Sequence, residues 1–186
     1  YTIVFNGEIY NFDSVKRELI VLGYSFSTTS DTEVLLKGYI EWGKDVLIKL
    51  NGMFAFSIYD VKKRIIFSAR DRLGVKPFFY YWKEGKFEIC SQLRPLINSN
   101  SKISKEAVSM YLDCGYIASP YSILENVFKL PPGNFMEIDL DKGSKNISEY
   151  WNLKPVLVRD ITYENAKKEL HLLIIDAVKI RMQSDV

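Results

Sequence analysis

Histidine is nearly missing from this 186-residue chain, which has one, His171. That scarcity excludes a conventional Ser-His or Cys-His nucleophile built around imidazole. Cysteine is scarce as well. Cys90 and Cys114 do not make a disulfide framework, and they form no Cys/His cluster of the metal-binding kind. A reducing cytoplasm is therefore the plain expectation. Both thiols sit in apolar company, where a buried inert thiol is the default. No apolar run approaches the length of a membrane span, and the opening residues carry no basic-then-apolar pattern. A net charge of +2 gives no reason to expect nucleic acid or an anionic membrane as a partner. Internal repeats and low-complexity segments are absent.

What is present is an ordinary globular composition, 47% hydrophobic and 26% charged. The length suits one substantial domain and leaves room for a second short piece. Twelve Tyr and eleven Phe favour packed β layers over a helical bundle. Val15, Leu19 and Leu22 recur at helical spacing, with Asp13 as N-cap and Gly23 as stop. Ser30 and Glu33 have the spacing of a capping box, opening a helix whose apolar face is Val34, Leu35, Tyr39 and Trp42. From Asn51 the period changes to two. A strand with Phe54, Phe56 and Ile58 on one face and Met53, Ala55 and Ser57 on the other reads as buried between layers. Strands follow over 64–69, 78–82, 87–91 and 134–140, with a helix capped by Ser104 and ended near Gly115. Residues 141–148 read as a polar turn or loop. The tail is a long amphipathic helix with Ala166, Leu170, Leu173, Ile174, Ala177 and Val178 on one stripe and His171 partly packed beside it.

The stretch from Tyr1 to Phe12 carries the chemistry. Tyr1, Ile3 and Phe5 alternate as in a half-buried strand, and Asn6-Gly7 is the strongest short-range hairpin signal. The same pair has a second reading. The Asn6 amide and the bare Gly7 N–H make two donors suited to a developing oxyanion. Glu8 places a carboxylate beside them, suited to a substrate ammonium. Asp31 is a second acid in the first turn of a helix, where the dipole favours a carboxylate in any case. The segment 70–77 packs four charges and a glycine into eight residues without the glycine spacing of a phosphate-binding loop. It reads as a structural connector in which Arg70 and Asp71 tie down a loop.

Phe5-Asn6-Gly7-Glu8-Ile9-Tyr10-Asn11 followed by Ser30-Asp31-Thr32-Glu33 resembles the glutamine site of class II glutamine amidotransferases. Within those it most resembles the glutamine-hydrolysing asparagine synthetases. Leu50 to Phe56, Ala69 to Pro77, Lys129 to Gly133, Tyr150-Trp151 and Arg181 to Val186 resemble further segments of that family, in its order. The resemblance implies an α+β fold, a four-layer α/β/β/α sandwich of antiparallel sheets of the N-terminal-nucleophile hydrolase type. It implies that Asn6 and Gly7 form the oxyanion hole and that Glu8 and Asp31 hold the α-ammonium of glutamine. The reaction it implies is amide hydrolysis, with the ammonia used to amidate an ATP-activated aspartate.

In that family the nucleophile is an N-terminal cysteine whose own α-amine is the base, which removes any need for histidine. The expectation is that this chain lacks that segment, so that no residue in it is the nucleophile and it is inactive alone. Residues 1–150 are expected to be glutaminase domain, and 151–186 the linker and first helix of a synthetase domain. ATP and Mg are expected at the rest of that domain and no cofactor on this chain, with glutamine and the synthetase domain as partners and homodimerisation open. Gln92 stands where the family commonly has an acid. Alternatives are a phosphoribosyl or sugar-phosphate amidotransferase, a homologue amidating another carboxylate such as one on a surface sugar, and a noncatalytic glutamine-binding module.

Overall fold

Two antiparallel sheets stack face to face. The structure, a computed structural model, describes residues 1–83, 85–154 and 159–182. Strands β1 (Thr2–Ile9), β2 (Gly52–Asp60), β3 (Ile65–Arg70), β7 (Asn134–Asp139) and β8 (Ser144–Glu149) form one sheet in the order β1-β2-β3-β7-β8. The second sheet has the order β5-β4-β6, from β4 (Phe79–Lys83), β5 (Lys86–Cys90) and β6 (Val127–Lys129). Helices α1 (Phe12–Val21), α2 (Asp31–Trp42) and α3 (Val46–Lys49) cover the outer face of the larger sheet. The outer face of the smaller sheet is covered by Leu96 and by Ile123 and Leu124. Helix α4 (Lys105–Cys114) is tethered there, where the Ser104 N–H donates to Ile123.

Strand alternation explains the layering. On β2, Phe54, Phe56 and Ile58 point toward the helices and pack with Ile9, Leu35, Leu47, Phe67 and Phe135. Its other face carries Ala55 into the space between the sheets, with Phe78, Tyr80, Leu130, Met136 and Ile138. A strand with core on both sides reads as the apolar double-faced run seen in the sequence. Truncating a side chain as enclosed as Phe67 costs roughly 3–5 kcal/mol, so these two cores dominate the stability of the sandwich.

Several local expectations are overturned. Asn6-Gly7 makes no hairpin. Thr2–Ile9 is one continuous strand, with Asn6 opposite Ala55 and Gly7 opposite Phe54. The glycine serves close approach instead: a β-carbon on Gly7 would overlap the Met53 carbonyl oxygen, and one on Gly52 the Glu8 carbonyl oxygen. Helix α1 is preceded by Asn11, with Asp13 in its first turn and not at the cap. The capping box also fails. Ser30 accepts from the Thr32 N–H, while Glu33 turns back to the preceding loop. Residues 144–149 form the edge strand β8 where a loop was expected. Its Lys145 lies 4.8–5.2 Å from the ring centroids of Tyr80, Trp82 and Phe128, so packing against the second sheet defines a strand that lacks apolar alternation. The expected turn at 83–86 includes Glu84, and the expected boundary region includes 155–158. These residues and 183–186 lie outside the described ones.

The tail helix α5 (Tyr163–Arg181) is capped by Thr162, which accepts from the Asn165 N–H. None of its residues is buried, and Leu170, Leu172, Leu173, Ile174, Ile175 and Val178 are all exposed. His171 is exposed and not partly packed. Among the described residues no helix is long and apolar enough to cross a membrane.

Most helical stability in proteins comes from packing of an apolar face, and α5 buries none of its residues. Amide hydrogen exchange on a dilute sample should show fast exchange through 163–181 and slow exchange at Phe54 to Ile58. Equal protection in both segments would contradict the description of α5 as unpacked.

Candidate functional site

β1 is the end strand of its sheet, so one of its edges faces no other strand among the described residues. Backbone N–H groups alternate in direction along an antiparallel pair. The Tyr10 N–H donates inward to Asn51, at 2.8 Å. The Ile9 N–H therefore points to the open edge, where Asp31 Oδ2 accepts it at 3.0 Å. Gly7 is two residues back, so its N–H lies on the same edge, on the order of 7 Å from that of Ile9 at the usual rise.

The hydrogen bond from Ile9 is what brings Asp31 to the strand. Asp31 begins α2, and its Oδ1 accepts from the Thr32 hydroxyl at 3.4 Å. Asp31 is thus held at the strand edge that carries the Gly7 N–H, and Gly7, Glu8 and Asp31 are all half-buried. Asn6 and Glu8 share the other face of the strand. Asn6 lines a cleft of about 350 Å³ between the sheets, with Val4, Ala55, Ser57, Phe78, Cys90 and Ser91. A mostly apolar cleft with one amide at its side suits a neutral amide substrate group.

Beneath the strand lies a hub that the sequence hinted at only in part. Asp71, 1% exposed, accepts from the N–H groups of Leu73 and Val75 on Oδ1 and of Lys76 and Phe54 on Oδ2. Its own N–H donates to the Phe54 carbonyl at 2.8 Å, and Phe54 is the register partner of Gly7. Arg70 donates to the carbonyls of Lys76, Leu130 and Gly74, and the Tyr150 hydroxyl donates to the Arg70 carbonyl. Loop 71–76 directs its N–H groups inward to Asp71, which agrees with the reading of a structural connector and leaves no backbone cradle for a phosphate there. Asn11 had no assigned role in the sequence reading. Its amide donates to Lys49 and its oxygen accepts from the Asn51 N–H, which pins the exit of β1 to β2. Its place within the motif was the only signal.

The two thiols differ. Cys90 is half-buried and lines the Asn6 cleft, and burial, aided by Glu88, pushes its pKa up. Cys114 is exposed, contrary to the expectation of a buried thiol, because α4 turns only Ala107 fully inward. Neither carries an imidazole, since the single histidine is on α5. Gln92 is exposed just beyond β5.

The glutamine amidotransferase domain model matches residues 1–151. The chain belongs to the glutamine amidotransferase family. It is 45% identical over 192 aligned residues to a putative glutamine-hydrolysing asparagine synthetase of Methanocaldococcus jannaschii, covering 99% of this chain and 36% of that protein. Asparagine synthetase 3 of Bacillus subtilis, also glutamine-hydrolysing, is 35% identical over 190 residues, all of this chain and 30% of that protein. The amidotransferase chain thus spans about a third of the length of these relatives. Among solved structures, the glutamine phosphoribosylpyrophosphate amidotransferase of B. subtilis, complexed with ADP and GMP, superposes with a TM-score of 0.54 at 20% identity. That match covers 80% of this chain and 29% of that one. Its likeness is one of fold alone.

The start of α2 owes its position to Glu33, which accepts from Lys37, from the Thr28 hydroxyl and N–H, and from the Ser27 N–H. Lys37 first, then Thr28 and Ser27, lower its pKa from 4.5 to about 2. A lowered carboxyl pKa contributes stability that is complete above the ordinary value and is lost as pH falls through the folded one. Glu33→Gln should therefore melt below the native protein at pH 7, with a gap that narrows from about pH 4.5 toward pH 2. A gap that stays constant over that range would mean the carboxylate charge is not what holds the 27–33 segment.

Proposed function

We propose that the native protein hydrolyses the side-chain amide of glutamine and passes the ammonia to an ATP-activated aspartate, giving asparagine. The observation that supports this reading is the bond from the Ile9 N–H to Asp31, which holds one acid of the motif at the strand edge that carries the Gly7 N–H. In it, Glu8 and Asp31 hold the α-ammonium, while the Asn6 amide and the Gly7 N–H stabilise the oxyanion as the amide carbon becomes tetrahedral. Residues 1–150 act as the glutaminase unit. Residues 151–186 lead into the synthetase unit, which carries the ATP and Mg. The likeness to glutamine-hydrolysing asparagine synthetases supports aspartate amidation. The cytoplasm is the proposed compartment.

A nucleophile is still needed, and we assign it to neither thiol of this chain. Burial moves Cys90 away from the thiolate form, which is opposite to what a nucleophile needs. Cys90→Ala should therefore not abolish glutaminase turnover in the native protein.

Asn6→Ala should lower glutamine-dependent turnover roughly 10²–10³-fold, the usual loss for one oxyanion donor, and spare synthesis driven by free ammonia. Loss of both activities would make Asn6 a structural residue. Glu8→Gln and Asp31→Asn should each raise the glutamine requirement about ten- to a hundredfold, as expected for losing a charged hydrogen bond. Asn at 31 keeps an acceptor for the Ile9 N–H, so the melting temperature should hardly move. If glutamine dependence is unchanged while stability falls, Asp31 only begins a helix.

A further inference from the structure

A second cleft, of about 410 Å³, opens between the sandwich and the end of α5. It brings together Arg72 from the 70–77 loop, Arg181 from α5, Tyr10, Asn51 and Trp151. The Arg181 guanidinium lies over the Tyr10 ring, 5.0 Å from its centroid, and Nη1 donates to the Ala177 carbonyl of its own helix. Arg72 donates to the Leu50 carbonyl at 2.7 Å and, at 3.5 Å, to that of Ile48. Among the described residues neither arginine has a carboxylate partner. The carboxylate in the lining, Asp71, already accepts four backbone N–H groups.

Each guanidinium has five N–H donors in a planar fork, so both keep donors unbonded. Two positive charges facing one cleft repel unless an anion lies between them. Carboxylate and phosphate oxygens match the arginine fork in charge and geometry. Tyr10 and Trp151 add aromatic walls, and Asn51 adds a side-chain amide. We propose that this cleft is a binding site for a small oxyanion, phosphate or carboxylate, held between Arg72 and Arg181. It is separate from the cleft lined by Asn6. Gly52 and Met53 line it and are the register partners of Ile9 and Glu8, so its occupant rests against the strand pair that carries Glu8.

The inference does not depend on glutamine hydrolysis, and its test needs no activity. Isothermal titration of the whole chain with inorganic phosphate, and separately with succinate, at constant ionic strength should show saturable binding of at least one. The preferred ion tells phosphate from carboxylate. Arg72→Gln and Arg181→Gln should each weaken that binding roughly ten- to a hundredfold. Lys102→Gln, in a different cleft bordered by lysines, should leave it unchanged. Among the described residues Arg181 makes no hydrogen bond outside its own helix, so its variant keeps the test decisive even if Arg72→Gln fails to fold. No saturable binding of either ion would overturn the proposal and leave the arginines to carboxylates of a protein partner. Indifference to Arg181→Gln, or equal weakening by Lys102→Gln, would overturn it too.

Discussion

A methyl group on Gly7 would overlap the Met53 carbonyl oxygen, and one on Gly52 would overlap that of Glu8. The edge strand can lie flush on β2 only because both are glycine. That contact aligns Gly7 with Phe54 and Ile9 with Gly52, and it turns the N–H groups of Gly7 and Ile9 outward together. Asp71 stiffens the arrangement from the other side by holding both the N–H and the carbonyl of Phe54. A buried carboxylate is costly unless its oxygens are hydrogen-bonded. Four backbone donors meet that need, and Arg70 ties the same loop to Leu130.

Asp31 does two things with one carboxylate. A negative charge in the first turn of α2 is favoured by the helix dipole, by about 0.3–1 kcal/mol. Its Oδ2 also accepts the Ile9 N–H, which ties the helix start to the strand edge. The carboxylate is half-buried and keeps unused acceptor capacity beside the long 3.4 Å contact from Thr32. In the proposed reading stability and recognition would share this residue, and a variant that separates them must keep the acceptor while losing the charge.

The layered fold was legible because period-two alternation and apolar runs carry through 52–60, 65–70 and 134–139. Strand β8 was not, because what places it is Lys145 reaching rings far away in sequence. Asn6-Gly7 misled for a related reason. The dipeptide is favourable for a turn locally, but β2 uses the missing side chain at Gly7 for close approach, so tertiary pairing overrode the turn preference. Ser30 and Glu33 had capping-box spacing, yet Lys37, Thr28 and Ser27 offered Glu33 more partners than the helix start did. At the candidate site, Asn6, Gly7, Glu8 and Asp31 were legible as a motif. The reason Asp31 reaches the strand, an N–H on an edge unpaired among the described residues, belongs to sheet order, which no local pattern encodes. Arg72 and Arg181 lie more than a hundred residues apart, and only the fold brings them to one cleft.

The central claim is that the open edge of β1 is a glutamine site built from Gly7 and Asp31 together. A crystal structure of the native protein soaked with L-glutamine tests it most directly, with bound glutamate from turnover an equal readout. The account predicts the α-ammonium between the carboxylates of Glu8 and Asp31, with the side-chain carbonyl oxygen at the Gly7 N–H and the Asn6 amide. Ligand density elsewhere, or a Gly7 N–H already paired to another strand with the edge closed, would contradict it.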